Sequence, residues 1–508
     1  MPPQISIITP SLNQGAFLRH ALASVAEQGG VAVEHIALDS GSMDGSRGIL
    51  RKWAEEGARR QAIFEPDAGP AEAINKGFAR AKADVLGWLC ADDAYADAAA
   101  LSAVASVFEA HPECDIVYGR GALIGESGAR LRAGPFLSEP ERVIETLRAG
   151  PAFLQPAAFV RRALLERIGG LDASFRFAFD FEFWLRAARS GASFAPLDRD
   201  IVRKRIHAES SSSLLPGVAA MERARATRRR LGRTGPSWVA RAIRADVAQP
   251  CDAAANVAAA VERRLERDGA GNDFLVVLGN GPSLKGFDFT QLRGVDTVGM
   301  NAAYRYWREI GWHPRYYACL DTVLGLSHAV EIEAMIDKAE DLGIDAFLLR
   351  QNLIETLDDG ARRSRRVINF DELSHAGGLL DIHPLTTGSH AALFGALLGY
   401  RSIVLLGVDA NYVERVEGAE ARTGTELELV APPAHNPNYF FEGYQRRGDR
   451  YNVPNPAPDL HVECWRAAGA RLAGRGVAVW NANPTSRVDA FASRAFPRLM
   501  AEREIAET

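Results

Sequence analysis

Short apolar runs alternate with amphipathic stretches from the start of the chain. Ile5-Ser6-Ile7-Ile8-Thr9 reads as a β run, and Pro10 to Gln14 as a turn. Phe17 to Gln28 then places Phe17, Leu18, Ala21, Leu22 and Val25 at helical spacing. The same alternation predicts strands at His35–Asp39, Ala62–Glu65 and Val85–Cys90, and helices at Ser46–Glu56 and Ala71–Ala81. Alternating strands and helices imply an α/β fold with a parallel sheet covered by helices. Ligands of such sheets bind beyond the carboxyl ends of the strands. Asp39, Asp67, Asp92 and Asp93 all fall just past predicted strand ends.

A second alternation begins at Phe274. Phe274–Leu278 reads as a buried strand that runs into Gly279-Asn280-Gly281-Pro282-Ser283. Further strands are predicted at Thr297–Met300, Tyr316–Leu320, Ala346–Leu349 and Ile403–Leu406, with a helix at Ser389–Leu398. Gly279 and Gly281 admit close backbone approach, and free N–H groups in such a loop suit an anion. The missing third Gly, and Pro282, argue against a dinucleotide fingerprint. Between the two alternations, residues 214–272 hold 11 Arg against 6 acids, with helices expected at Val218–Leu231 and Ala253–Arg267. This stretch reads as a solvated helical connector, or else as a basic face for an anionic membrane or polyanionic acceptor. The organisation expected is residues 1–213, a basic linker 214–272, a second α/β domain 273–500 and a tail 501–508.

Composition narrows the classes. A chain of 508 residues with net charge −5 has room for two full cores and lacks the basic balance of a nucleic-acid-polymer binder. No apolar run approaches the roughly 18 residues of a membrane span. The start, Met1-Pro2-Pro3-Gln4, shows no basic n-region or apolar h-region, so no signal peptide is expected. Five widely spaced Cys with no CxxC point away from disulfides and zinc and toward a reducing cytoplasm, with the inner membrane face as a further placement through the basic linker.

The acids at the first strand ends fit transfer from a nucleoside diphosphate sugar. A hard divalent cation on carboxylate oxygens would offset charge on the leaving diphosphate. A carboxylate base would take the acceptor proton. Asp39 and Asp44 can serve the nucleobase, Asp92 the ribose and Asp93 the metal. Taken alone, the Asp92-Asp93 pair reads as a helix cap and surface turn.

The pair is not alone. ISIITPSLN from Ile5 to Asn13, LDSGSMDG from Leu38 to Gly45, EPDAGPAEAINKGF from Glu65 to Phe78 and GWLCADD from Gly87 to Asp93 resemble glycosyltransferase family 2, which comprises inverting GT-A enzymes. The resemblance continues in LQPAAFVRRALLERIGGLD from Leu154 to Asp172 and in FDFEFWLR from Phe179 to Arg186. It implies Asp180 as general base, although Phe179 stands where the family has Glu. Glu182 either assists Asp180 or pairs with Arg186. The segment from Arg205 to Ser211 is similar to the family's late Arg-x-His…Ser segment, and implies His207 as metal ligand or diphosphate contact. Thr9, Pro10, Asn13, Asp39, Asp44, Asp67 and Asp92 would bind the donor. Lys76 would present a cation to it, or else remain a solvated helix residue. The resemblance implies UDP or dTDP sugars, Mg²⁺ or Mn²⁺, and a single displacement at C1 onto a glycan or lipid-linked glycan.

In the second half, FLVVLGNGPSLKGFDFTQL from Phe274 to Leu292, Met300-Asn301, the stretch from Leu385 to Asp409, and WNANPTS from Trp480 to Ser486 resemble bacterial sialyltransferases of glycosyltransferase family 42. The resemblance implies a Rossmann-like domain that takes sialic acid, Kdo or a related acid from CMP without a metal. Gly279, Asn280, Gly281, Pro282, Ser283, Asn301 and Asp409 would lie at the donor, with Thr386, Thr387 and Gly388 at the sugar carboxylate or nucleotide. The family's His base is expected at His435 ahead of His461. The whole chain then reads as a bifunctional glycosyltransferase for cell-surface polysaccharide or glycoconjugate. The Gly-x-Gly-Pro-Ser loop also resembles pterin-diphosphokinase-like proteins, which would make the second domain a diphosphotransferase. A non-catalytic acceptor-binding module is the third reading.

Overall fold

The opening apolar run forms β1 (Ile5–Ser11), with Ile5, Ile7 and Ile8 fully buried. The computed structural model describes residues 4–207, 210, 215–232, 235–268, 272–383, 386–413, 415–453 and 460–507. After β1 come α1 (Gly15–Ala26), β2 (Val33–Asp39), α2 (Ser46–Glu55), β3 (Arg60–Phe64), α3 (Pro70–Arg80) and β4 (Val85–Trp88). These strands pair in parallel in the order β3-β2-β1-β4. β1 is buried on both faces, which is why it reads as a continuous apolar run.

Beyond β4 the sheet becomes mixed. Next come β5 (Ala94–Tyr95), α4 (Ala100–Ala110), β6 (Ile116–Ile124), β7 (Arg130–Ala133), α5 (Val143–Ala149), β8 (Ala158–Arg161), α6 (Arg162–Ile168), α7 (Phe179–Arg189) and β9 (Phe194–Arg205). The order continues β4-β8-β6-β9-β5, with β8 antiparallel to β4 and β7 paired on β6. This turn of direction brings the end of β9 to the Asp92-Asp93 loop, where the Arg205 N–H donates to Asp93 Oδ1 at 2.9 Å.

The chain separates into two units, up to Trp238 and from Val239 onward. Helices α8 (Pro216–Leu231), α9 (Pro236–Asp246) and α10 (Asp252–Asp268) occupy the stretch expected to be a solvated connector. It is not solvated. Most of α8 is buried in the first unit, with Arg225 over the Phe175 ring, Arg229 paired with Asp172 at 2.9 Å, and Arg230 paired with Glu182. In the second unit Arg264 of α10 is buried against the Tyr400 ring and Arg267 pairs with Asp296 at 3.0 Å. Much of the local positive charge is therefore spent on internal partners. Among the described residues no helix is long and apolar enough to cross a membrane.

The second unit holds β10 (Phe274–Leu278), β11 (Asp296–Met300), β12 (Tyr316–Cys319), β13 (Ala346–Leu349) and β14 (Val367–Asn369). After them come α11 (Thr387–Leu397) and β15 (Ser402–Leu406), then the small antiparallel sheet of β16 (Ala419–Ala421), β17 (Glu426–Leu429) and β18 (Arg450–Asn452). α12 (Leu460–Gly474), β19 (Ala478–Asn481) and β20 (Ala492–Ser493) follow, and a last helix, α13 (Phe496–Glu507), runs through most of the expected tail with Phe496 and Leu499 in the core. The main sheet is parallel throughout, in the order β14-β13-β12-β11-β10-β15-β19-β20. The small sheet gives no strong alternation in sequence and was not expected.

Candidate functional site

At the carboxyl end of β4, one ligand atom from each of Cys90, Asp92 and Asp93 lies within 4.8 Å of the others. Asp93 is buried, and its carboxyl is held well above the usual carboxylate range by burial and then by the neighbouring Asp92 carboxylate. Lys204 and the Arg205 N–H oppose that shift. The Cys90 thiol is also raised, first by burial, then by Asp93 and Asp92, and in smaller measure by Asp180. Asp180 thus stands within electrostatic reach of the same spot. His207 Nε2 lies 3.1 Å from Asp92 Oδ2, with its ring against Phe17 at 4.7 Å. His207 therefore meets the cluster through Asp92, not through Asp93. Of the late segment implied by resemblance, Ala208, Glu209 and Ser211 lie outside the described residues.

Two strands away, Asp39 ends β2. Its Oδ1 accepts from the Gly41 and Ser42 N–H groups at 3.0 and 2.9 Å. Its Oδ2 is buried with no protein partner, as is Oγ of Ser11, the residue paired with Asp39 in the sheet. Buried polar atoms are seldom left unpaired, so this pocket suits a polar ligand edge. With β1 between them, β2 and β4 lie two strand spacings apart, roughly 10 Å.

Other expected residues are placed differently. Thr9 is fully buried with its hydroxyl 2.9 Å from His35 Nε2, so its side chain faces the core and not a donor. Asn13 adopts a left-handed φ of 52° and joins the two loops: its N–H donates to Ser42 Oγ at 2.7 Å, and its Oδ1 accepts from the Met43 N–H at 2.8 Å. Pro10 sits half-buried between Thr9 and Ser11. Asp44 spends both oxygens on local capping, Oδ2 on the Gly15 N–H at 2.7 Å and Oδ1 on the Ser46 hydroxyl at 2.6 Å. Lys76 pairs with Glu72 at 2.8 Å and donates to the Pro66 carbonyl at 2.7 Å. It steadies the loop carrying Asp67, whose Oδ1 accepts from the Gly69 N–H at 3.0 Å and whose carboxyl is raised by burial.

Asp180 is the second residue of α7, and its Oδ1 accepts from the Phe181 N–H at 2.7 Å. Glu182, one of whose readings was assistance to Asp180, is fully buried and pairs with both Arg186 and Arg230. Sequence reasoning missed Gln155, which is buried against Cys90 and donates from Nε2 to the Trp88 carbonyl at 2.8 Å. A lone amide in the apolar run Leu154–Val160 was its only signal. Cys90, within the stretch Gly87 to Asp93, joins the acid cluster, which its place in the sequence does not signal.

In the second unit a cavity of about 370 Å³ opens at the ends of β10, β11, β12 and β15. Gly279, Asn280, Gly281, Pro282, Asn301, Thr386, Thr387, Gly388 and Asp409 all line it. Ser283 does not, but its N–H donates to Asp409 Oδ2 at 2.9 Å. The expectation of free N–H groups fails at the two glycines of the loop. The Gly279 and Gly281 N–H groups donate to the carbonyls of Leu406 and Gly407, at 2.8 and 2.9 Å. A Cβ on Gly279 would strike the Gly407 carbonyl, and one on Gly281 the Asp409 carboxylate. The glycines thus let β10 lie against the end of β15. Asp409 is committed as well, to Ser283 and the Asn483 amide.

What faces the cavity is different. Asn280 Oδ1 and Asn301 Oδ1 are buried without a protein partner, and Asn301 has φ 55°. The N-terminus of α11 brings Thr387 and Gly388 to the wall, with Thr386 Oγ1 capping the Ser389 N–H at 3.0 Å. Tyr439 stacks on Tyr444 at 3.7 Å, and burial raises both hydroxyls, so they stay protonated donors. His435, the histidine favoured from sequence, is exposed, paired with Glu442 at 3.1 Å and absent from the lining. His461 and His383 line the cavity instead, His461 with its ring 5.1 Å from that of Tyr412. His461 stands on α12 one turn before Trp465, which packs where a Gly388 Cβ would go.

A parallel sheet continued by antiparallel strands, with an acid pair past its fourth strand, is a GT-A-like α/β arrangement. The family model for glycosyl transferase family 2 matches residues 6–169. The chain is 30% identical over 185 residues to the PGL/p-HBAD biosynthesis glycosyltransferase of Mycobacterium tuberculosis, covering 36% of this chain and 69% of that protein. It is 31% identical over 240 residues to the O-antigen biosynthesis protein RfbC of Myxococcus xanthus, covering 46% of this chain but only 18% of RfbC. Among solved structures, S. aureus TarS 1-349 in complex with UDP is similar at 17% identity and a TM-score of 0.36, over 47% of this chain and 70% of that one. The chain belongs to glycosyltransferase family 2 and is a glycosyltransferase.

Proposed function

We propose that the first unit transfers a sugar from UDP or dTDP to a hydroxyl of a glycan or lipid-linked glycan, inverting C1, in the synthesis of a cell-surface polysaccharide or glycoconjugate. The observation that carries this is the Asp92–Asp93 pair at the end of β4, Asp93 buried and Asp92 half-buried, within 4.8 Å of the Cys90 thiol. A buried carboxylate beside a second one is costly unless a cation or proton relieves it, so the donor set fits Mg²⁺ or Mn²⁺ held by Asp93 and Asp92. Such an ion supplies charge neutralisation for the departing diphosphate. Asp39 Oδ2 and Ser11 Oγ receive the nucleobase edge. Asp180 takes the acceptor proton as the hydroxyl oxygen bonds to C1 and the C1–O bond to the diphosphate breaks. The names of the relatives, O-antigen and PGL biosynthesis, favour such acceptors. Five free cysteines are in keeping with a cytoplasmic setting.

For the second unit we propose transfer of an acidic sugar from a CMP donor, with His461 in place of His435 as base. The unpartnered Asn280 and Asn301 oxygens suit the amino and hydroxyl groups of a cytidine, and the Thr387 end of α11 suits an anion. One donor panel tests both readings. UDP-, dTDP- and CMP-sugars are assayed with and without Mn²⁺ in Asp180→Asn, Asp93→Asn, His461→Ala and His435→Ala proteins. Loss of a general base costs about 10²–10⁴ in rate. Asp180→Asn and Asp93→Asn should each abolish the Mn²⁺-dependent diphosphosugar reaction and spare the CMP-sugar reaction. His461→Ala should do the reverse, and His435→Ala should change neither. Full turnover in Asp180→Asn would end the first reading, and no CMP-sugar turnover or binding would end the second.

A further inference from the structure

We infer that Glu222 of α8 is a positioning residue for the turn that presents Asp180, so that the catalytic unit of this chain extends through α8, beyond the segment the family model matches. The inference rests on the reading of Asp180 as base.

Within α7, Asp180 Oδ1 takes the Phe181 N–H, but the cap position and the two residues ahead of it need an acceptor from elsewhere. The cap position is Ala178, which has no side-chain acceptor, and the N–H groups entering a helix are otherwise orphans. Glu222 supplies the missing acceptor from 44 residues away. Its Oε1 accepts from the Arg176 N–H at 3.1 Å, and its Oε2 accepts from the Phe177 and Ala178 N–H groups at 2.7 and 2.9 Å. Glu222 is 1% exposed, so these bonds are made in a setting where an unpaired charge or N–H is costly. A negative charge at that place also meets the positive end of the α7 dipole.

The other side of Asp180 is held by the same helix. Arg230 lies eight residues after Glu222, a little over two turns along α8, and pairs with the buried carboxylate of Glu182. Glu182 also binds Arg186, whose guanidinium donates to the carbonyls of Gly169 and Gly170 at 3.0 and 2.6 Å. Asp180 therefore sits between two contacts from α8: the buried Glu222 on the residues just before it, and the half-buried Arg230 on the buried Glu182 two residues after it. A base must stand within a fraction of an ångström of its proton, and a displacement of about 1 Å costs roughly 10² in rate. Residues that fix the turn act on turnover without touching the donor.

The test uses the full chain and the best donor of the UDP- and dTDP-sugar panel, with UDP plus Mn²⁺ as the binding probe. Glu222→Ala should lower kcat by about 10- to 100-fold while donor KM and UDP affinity stay within about twofold. Glu222→Gln keeps one carbonyl acceptor and should restore part of that kcat. Arg229→Ala, on the same helix but paired with Asp172, should leave kcat unchanged. A Glu222→Ala protein that binds UDP normally and turns over normally overturns the inference. So does a parallel fall of kcat and UDP affinity, which would mark a general loss of structure. If Glu222→Ala does not fold, Glu222→Gln decides by the same comparison. Asp180→Asn separates the two failures: if it is inactive while the Glu222 variants are unaffected, only the positioning role falls. If it is fully active, the base reading falls and the positioning role with it.

Discussion

His35 shows how one buried ring couples the first sheet to pH. It lies in the core with Nε2 2.9 Å from Thr9 Oγ1 and its edge against Trp53 at 4.8 Å. Burial, with a smaller contribution from Arg60, pushes its pKa down to about 3. The ring is thus neutral when folded, while the unfolded chain takes up a proton near pH 6.5. A depressed histidine contributes stability that is present above pH 6.5 and lost as pH falls toward 3. Between pH 7 and pH 5 the loss is about 2 kcal/mol. In His35→Gln that part of the acid sensitivity should vanish, as read from urea midpoints at the two pH values. An unchanged pH dependence would show that His35 titrates alike in both states. Thr9 marks the limit of sequence at this scale. Its motif placed β1 and its neighbours, but side chains of a strand alternate faces, and the spacing does not say which face carries the ligand.

At the scale of elements, most strands and helices of both sheets lie within a few residues of where the periodicity put them, because central parallel strands are apolar on both faces. The role of the glycine loop was less legible. Sequence shows that something must come close to Gly279 and Gly281, but not what does. The answer lies in β15, a neighbour in space that is more than a hundred residues away in the chain. The same blindness favoured His435, since β16, β17 and β18 gave no clear pattern and the fold of the segment around it could not be read. Gly281→Ala should accordingly act through packing: its Cβ meets the Asp409 carboxylate, which also holds Ser283 and Asn483. Overpacking of this kind costs about 1–3 kcal/mol. The melting transition of the second unit should fall, and, on the proposed reading of its cavity, CMP should bind more weakly, in calorimetry and titration respectively. Normal melting with lost CMP binding would instead place a ligand directly against Gly281.

For the whole molecule, the distribution of charge pointed to the right segment for the wrong reason. The arginine-rich stretch 214–272 looked like a solvated connector, because a helix that pairs its cations internally has the same composition as one that exposes them. Only the partners distinguish the two: Glu182 and Asp172 for α8, Asp296 and Asp345 for α10. Sequence holds those acids at distances of tens of residues, without a periodic signal. The consequence is a test of where the catalytic unit ends. A fragment ending at residue 213 would keep every family motif quoted for the first half. It would also leave the buried Glu182 without Arg230, strip Glu222 from the N–H groups of residues 176–178, and uncover Phe181, whose ring packs on Trp238 at 5.2 Å. A buried N–H left without its acceptor costs about 1–3 kcal/mol, and losing the Arg230 and Trp238 contacts adds to that against a marginal domain stability. The fragment ending at 213 should therefore lack a cooperative melting transition and turn over no donor. One ending at residue 238 should melt cooperatively and release diphosphate from the donor at a rate near that of the full chain. Equal folding and activity in the two fragments would place α8 outside the catalytic unit.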